Sequence, residues 1–248
     1  MNKPAPVRIL NAQILPLTSK QLLENLHDGL LVTPNIDHLM ILEHDDEFRR
    51  CYSEAEWVVC DSRIIYFCSQ LLSKPLPEAI PGSSFFTAYY TYHRNDPGCR
   101  IFLLGAAPGI AAEARRRINL SVGREIIVGE YSPVKGFEHD PEESERMIRA
   151  IAVSEATVVA VGLGAPKQEK WIVAHRHRLP DVHLWMAIGA TIDFEAGNVR
   201  RAPLIMQRLG LEWLYRFTQE PRRLFRRYFI NDIRFFPLFI WRHLIRRR

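Results

Sequence analysis

Polar side chains that could bind a substrate or move a proton follow several short apolar runs of the sequence. Thr33 and Asn35 follow one run, Asp61 follows the next, and Gln168 follows another further along the chain. Thr33 and Asn35 would bring a hydroxyl and an amide to a ligand, but both residue types are also common helix caps. Asp61 could cap a helix or could accept a proton from an attacking hydroxyl as a general base. The Gln168 amide offers a donor and an acceptor to a base or a sugar.

Glycines also follow two of the apolar runs. Gly105 and Gly109 lie in a turn that leads into a predicted helix, and Gly162 and Gly164 precede Pro166. Free backbone amides and the helix dipole make the first turn a good phosphate site, and the glycines of the second let the backbone approach a ligand. The full GxGxxG fingerprint is absent, so tight backbone packing remains the alternative. The same absence disfavours a dinucleotide-dependent oxidoreductase.

The spacing of apolar residues predicts which elements position these side chains. Short runs rich in Val, Ile and Leu alternate with stretches of helical periodicity, which predicts a mostly parallel sheet covered by helices on both faces. The architecture is Rossmann-like, and ligands of such sheets bind outside the carboxyl ends of the strands. The predicted strands are 7–10, 30–32, 57–60, 100–104, 126–128, 158–161 and 184–188, and the predicted helices are 19–27, 35–50, 62–72, 83–93, 108–120, 141–153 and 167–178.

Charge divides the chain into two parts. The net charge is +5, but residues 200–248 hold 13 of the 33 basic residues and 3 of the 28 acidic ones, which leaves residues 1–199 acidic. In 200–248 the arginines alternate with Trp, Phe and Leu, a composition typical of segments that bind anionic membrane surfaces. We therefore predict a catalytic domain over 1–199 and a helical basic appendage over 200–248. Packing of the appendage on the body is the alternative. Nucleic acid is not expected as a partner, because the body is acidic and lacks a nucleic-acid-binding module.

Other features bound the environment of the protein. No run of residues is long and apolar enough to span a bilayer, and the first 13 residues lack the apolar core of a signal peptide. A cytoplasmic location is therefore expected. The four cysteines lack zinc-site spacing and are expected to be reduced. Asp45 and Asp46 lie in a charged helical pattern, so we do not expect them to hold a metal.

Two segments of the sequence resemble the WecG/TagA/CpsF family of glycosyltransferases. They are VGLGAPKQEKWI at 161–172 and AIGATIDFEAGNVRRAPLIMQRLGLEWLYRFTQEPRRLFRRYF at 187–229. The resemblance implies inverting, metal-independent transfer from a UDP-sugar to a polyprenyl-linked saccharide in bacterial surface polysaccharide synthesis. It also implies a peripheral enzyme at the cytoplasmic face of the inner membrane, with no cofactor. The sequence leaves a homo-oligomer open.

The resemblance also assigns roles to residues of this chain. It implies that Asp61 is the catalytic base, beside Thr33 and Asn35 in the active site, and that Gln168 belongs to the family's PKQE motif. The arginines that would close over the donor diphosphate are Arg216, Arg223 and Arg226, and we add Gly105, Gly162 and Gly164 as substrate-binding residues on the strand-end argument above.

Three positions depart from the family pattern. Ser62 replaces a common glycine, Ala79 lies near a usual arginine, and Ser84 replaces a common aspartate. Arg63 is a candidate to replace the missing positive charge. A non-catalytic nucleotide-binding or scaffold protein of a polysaccharide assembly complex is the alternative that these departures keep open.

Overall fold

The computed structural model describes residues 3–245, without the side chains of Leu204, Arg208 and Arg223. Six parallel strands form the main sheet in the order β4-β3-β8-β7-β5-β6, and helices cover it. The strands of the described chain are β1 (Val7–Ile9), β2 (Ala12–Ile14), β3 (Gly29–Val32), β4 (Trp57–Val58), β5 (Ile101–Gly105), β6 (Ile127–Tyr131), β7 (Val158–Gly162) and β8 (Leu184–Ala187).

Helices connect the strands and follow the last one. The α-helices of the described chain are α1 (Ser19–Asn25), α2 (Ile36–Ile41), α3 (Asp46–Ser53), α4 (Arg63–Ser69), α5 (Gly82–Tyr92), α6 (Ile110–Val122), α7 (Pro141–Val153), α8 (Lys167–His175), α9 (Thr191–Glu195), α10 (Leu204–Arg208), α11 (Glu212–Gln219), α12 (Pro221–Arg226) and α13 (Phe235–Ile240).

The sheet is buried on both faces. Leu30 and Val32 of β3 pack in one hydrophobic cluster, whereas Leu31 between them packs in the other. Because successive side chains of a strand point to opposite faces, this division places a core on each side of the sheet. The predicted Rossmann-like α/β fold is therefore confirmed.

The first predicted strand is not part of this sheet. Residues 7–10 were expected to form one of its strands, but β1 pairs with β2 in a separate antiparallel hairpin. Leu10 has a φ of +52° at the turn, which ends the strand at Ile9. Because the chain reverses at Leu10, β1 pairs with the strand that directly follows it instead of joining the parallel sheet.

The predicted helix over 35–50 is also wrong, because two helices occupy this region. Asn35 caps α2, whose last residue is Ile41. Asp45 caps α3 by accepting a hydrogen bond from the Phe48 amide at 2.8 Å. The aspartate that the sequence analysis assigned to a charged helical surface therefore begins a new helix.

The described part of the C-terminal segment, residues 200–245, folds back on the body of the protein. Phe235 and Phe239 of α13 are buried in the same cluster as Leu30. Arg242 donates two hydrogen bonds of 2.8 Å to the Glu43 carboxylate after α2. Packing of the segment on the body thus accounts for part of its apolar residues.

Other apolar residues of the C-terminal segment are exposed. Among the described residues, we find no helix with the length and apolar character needed to cross a membrane. Ile205, Leu209 and Leu214 are exposed in its first part. We call the exposed residues after residue 220 the apolar surface, and they are Phe225, Phe229, Ile230, Ile233, Phe236, Ile240, Trp241, Leu244 and Ile245. The segment therefore packs on the body and also presents apolar side chains to solvent.

Candidate active site

A cavity of about 710 Å³ lies outside the carboxyl ends of β3, β4 and β8. The body and the C-terminal segment each form part of its wall. The predicted residues that line it are Thr33, Asn35, Asp61, Gln168 and Arg216, and they are joined by Arg63, Ala79, Gly82, Ser84, Glu212, Arg227 and Asp232. The fold thus brings together polar side chains that are far apart in the sequence.

Asp61 follows β4 and is fixed by backbone contacts. Its amide donates to the Pro34 carbonyl at 3.1 Å, and its Oδ1 accepts a hydrogen bond of 2.8 Å from the amide of Gly82, the first residue of α5. Burial raises the pKa of the Asp61 carboxyl to about 6, and the Gly82 hydrogen bond opposes this rise. Farther away, Glu212 raises the pKa and Arg216 lowers it. The carboxyl can therefore exchange a proton near neutral pH.

Ser62, and not Asp61, caps the following helix. The Ser62 hydroxyl accepts from the Ile65 amide at the start of α4. Ser62 has a φ of −90°, which a side chain adopts without strain. Replacement of the family's glycine therefore fits the turn and leaves the Asp61 carboxyl facing the cavity.

Thr33 and Asn35 approach the cavity between β3 and α2. Asn35 does cap α2, because its Oδ1 accepts from the His38 amide at 3.2 Å. A Cβ atom added at Gly82 would lie 2.9 Å from Thr33 Oγ1, so glycine permits the start of α5 to approach Thr33. The capping interpretation of Asn35 holds alongside its position in the cavity lining.

Gln168 connects the turns that follow β7 and β8. Its side chain is 2% exposed, and its Oε1 accepts from the Gly164 and Gly189 amides at 3.3 and 3.2 Å. Its Nε2 donates to Glu169 Oε1 at 2.8 Å. These bonds fix the turns after β7 and β8 around the cavity, while substrate binding by Gln168 stays a prediction.

The predicted arginines differ in their positions. Arg216 lines the cavity, with its guanidinium 5.0 Å from the Phe194 ring centroid and 3.9 Å from Glu212. The side chain of Arg223 lies outside the described residues. Arg226 is exposed and is not among the cavity residues that the structure describes, whereas its neighbour Arg227 is. Adjacent residues of a helix point about 100° apart, so the two do not face the same way.

The described residues that line the cavity do not include the predicted glycines Gly105, Gly162 and Gly164. A Cβ added at Gly105 would come within 2.5 Å of the Gly162 carbonyl oxygen, and one at Gly162 within 2.6 Å of the Gly189 carbonyl oxygen. Close approach of β5, β7 and β8 therefore requires both glycines, which is the packing alternative. Gly164 contributes its amide to Gln168. Substrate binding by these glycines stays a prediction.

Sequence reasoning did not select Arg227, Glu212 or Asp232. A signal was present, because Glu212 and Asp232 are two of only three acidic residues in the basic segment 200–248. Both line the cavity with Arg227. Within the described residues, no group of three or more His, Cys, Asp or Glu side chains is arranged to hold a metal ion.

The fold and the cavity define a class of protein. An open parallel α/β sheet with an ionisable carboxyl and arginines at its carboxyl-end crevice is an arrangement of enzymes that act on small polar substrates. A model of the Glycosyl transferase WecG/TagA/CpsF family matches residues 7–248. The chain therefore belongs to this family, whose members are glycosyltransferases of surface polysaccharide synthesis.

Proposed function

We propose that the protein transfers a sugar from a UDP-sugar to a lipid-linked saccharide, with inversion and without a metal ion. It would do so at the cytoplasmic membrane surface. The observation that carries this proposal is the Asp61 carboxyl, which lines the cavity with a pKa raised by burial to about 6. Such a group is largely ionised at pH 7 and can still accept a proton.

Inversion by direct displacement needs one base and a means to stabilise the leaving group. Asp61 would take the proton of the acceptor hydroxyl as its oxygen attacks the anomeric carbon of the donor. The bond between that carbon and UDP breaks, and the diphosphate gains negative charge. Arg216 in the cavity supports this step, because a guanidinium binds phosphate oxygens through two donors. Thr33 and Asn35 would position the substrates.

The position of the apolar surface supports a lipid-linked acceptor. Phe229, Ile233 and Phe236 are 45%, 51% and 39% exposed, and all three line the cavity. Exposed arginines, including Arg226 and Arg234, lie on the same segment. Attraction of these arginines to anionic lipid would place the apolar side chains in the interface, each cation contributing about 1 kcal/mol. An acceptor embedded in the membrane could then reach the cavity.

The test is transfer with a panel of UDP-sugars and a polyprenyl-linked saccharide, with and without EDTA. We expect turnover that EDTA does not abolish, with a rate that rises with pH around pH 6 as Asp61 ionises. Asp61→Asn should lower kcat by about 10²- to 10⁴-fold, the range typical of general bases. Asp181→Asn makes the same change at an exposed residue and should leave kcat unchanged.

Two results would count against the proposal. Full turnover by Asp61→Asn would remove the base. UDP binding by calorimetry, without transfer to any acceptor in the panel, would favour the alternative of a non-catalytic nucleotide-binding protein.

A further inference from the structure

Arg227 lies where the C-terminal segment meets the first turn of α2. Its Nη2 is 3.5 Å from Asn35 Oδ1, and its Nε is 3.3 Å from Asp37 Oδ2 and 3.9 Å from Asp232 Oδ2. It belongs to the π-helical turn Arg227–Asn231 and lines the cavity. A single side chain of the segment thus contacts both the cap of α2 and the substrate cavity.

The two carboxylates make Arg227 an unfavourable phosphate ligand. Asp37, and Asp232 to the extent that it is ionised, offset its positive charge and would repel a diphosphate placed beside it. Burial, with a smaller contribution from Asp37, raises the pKa of Asp232 to about 7, and Arg227 opposes this rise. Arg216 differs, because the one carboxylate that the structure places near it, Glu212, is 3.9 Å away and the side chain rests on Phe194. Arg216 is therefore suited to bind phosphate, whereas Arg227 is held by the neighbouring Asp37 and Asp232.

Asn35 connects Arg227 to the proposed base. Asp61 donates its amide to the carbonyl of Pro34, the residue before Asn35, so the Asn35 backbone and Asp61 are neighbours. The charged groups that the structure places around this site are Asp37 on α2, Arg63 on α4, Glu78 before α5, Asp232 after the π-helical turn, and Glu212 and Arg216 on α11. His38 is buried beside them, and burial together with Arg227 lowers its pKa to about 3, so it is neutral.

We propose that Arg227 is a positioning residue for the transfer reaction. Its guanidinium, which lies beside Asp37 and Asp232, fixes Asn35 at the start of α2 and, together with Arg216, supplies positive charge to the cavity that Asp61 lines. This inference rests on the proposed function, in which Asp61 is the base. It gives the C-terminal segment a role in tuning the base in addition to forming a wall.

The electrostatic part can be measured without any substrate. The probe is the carbon-13 signal of the Asp61 carboxyl followed through a pH titration, assigned by its loss in Asp61→Asn. Because Arg227 lowers the pKa of Asp61, Arg227→Gln should raise it by about 0.5 to 1, less than for a directly paired charge. Arg234→Gln removes the same charge from an exposed position of the segment and should leave the Asp61 pKa unchanged.

A second variant changes the pKa in the opposite direction. Asp37→Asn removes a negative charge at nearly constant volume and should lower the Asp61 pKa. This variant keeps the proposal open to refutation if Arg227→Gln fails to fold. Equal Asp61 pKa values in wild type, Arg227→Gln and Asp37→Asn would overturn the proposal, as would a change equal to that of Arg234→Gln.

Activity then tests the positioning part. Arg227→Gln should lower kcat/KM about tenfold or more near pH 6.5 and move the acidic limb of its pH profile upward with the Asp61 pKa. Arg227→Lys keeps the positive charge but loses the guanidinium contacts to both Asn35 and Asp37. It should therefore return the acidic limb of the pH profile to its wild-type position but restore only part of kcat/KM. Lower turnover with an unmoved limb would indicate a structural role only and refute the proposal. Absence of transfer by the wild type would refute the proposed function, whereas the carboxyl titration would still decide the effect of Arg227.

Discussion

Glu169 provides a test of the buried polar contacts behind the cavity. Its side chain is 0% exposed, and its Oε1 accepts the 2.8 Å hydrogen bond from Gln168. Its Oε2 is buried and has no hydrogen-bond partner among the described residues. Burial raises the pKa of Glu169 to about 7, opposed by the Gln168 hydrogen bond. The charged form is therefore unfavourable in the folded protein.

This rise in pKa predicts the sign of a pH effect on stability. In the unfolded chain the carboxyl ionises near its ordinary value of 4.5. A group with a raised folded pKa contributes most stability below the unfolded pKa, and stability is lost as the pH rises towards the folded pKa. One pKa unit corresponds to about 1.4 kcal/mol, so the rise to about 7 corresponds to a loss of roughly 3 kcal/mol in all. Most of it, roughly 2 to 3 kcal/mol, falls between pH 5 and pH 8.

Glu169→Gln removes this titration and keeps an acceptor for Gln168. Urea unfolding at pH 5 and pH 8 would give the free energy of unfolding of both proteins. We expect the wild type to lose roughly 2 kcal/mol more than Glu169→Gln between these pH values. Glu24→Gln, at an exposed site on α1, controls for general charge effects. Equal pH dependence of wild type and Glu169→Gln would refute the reasoning.

Three other changes have expected outcomes. Gly105→Ala should lower the free energy of unfolding in urea titrations by about 3 kcal/mol, because its Cβ would meet the Gly162 carbonyl oxygen at a φ of +126°. Gly123→Ala, at a φ of +80° in open space, should lower it by about 1 kcal/mol. Equal losses would contradict the packing explanation. Arg63→Ala should weaken UDP binding measured by calorimetry if Arg63 in the cavity lining replaces the charge missing near Ala79, and unchanged affinity would exclude this role. Ile240→Asp should reduce co-sedimentation with anionic vesicles several-fold, because it places a charge in the apolar surface. Leu120→Asp, at an exposed residue of the body, should leave co-sedimentation unchanged. Equal binding by both variants would show that the apolar surface does not contact lipid.

The sequence predicted the main sheet because its strands are short buried runs separated by helical periodicity. It failed at residues 7–14, where a hairpin of two three-residue strands resembles a single short strand. It also failed at Asp45, because a capping aspartate inside a charged run has the composition of helix surface. Both errors concern local reversals of the chain, which apolar periodicity does not record.

The prediction of which residues share the cavity was likewise correct for those that follow β3 and β4 and incomplete elsewhere. The sequence placed Thr33, Asn35 and Asp61 together, as the cavity lining has them, because the carboxyl ends of parallel strands converge at one edge of a sheet. Arg227 was missed because its placement depends on how the C-terminal segment folds back, which strand ends do not reveal. Gly105 and Gly162 were predicted to bind substrate, which stays a prediction, and the structure shows that strand packing also requires them. Sequence alone does not distinguish these two uses of glycine.

The C-terminal segment forms part of the cavity wall. It contributes Arg216, Arg227 and Asp232 to the cavity, and Phe229 and Ile233 belong both to the cavity lining and to the apolar surface. A chain that ended at residue 199 would lose a wall of the cavity together with its exposed apolar side chains. Side chains of one segment form both features, so the proposed membrane contact, by ordering the apolar surface, would also order the cavity residues of the same segment. Membrane binding and completion of the active site are thus expected to depend on each other.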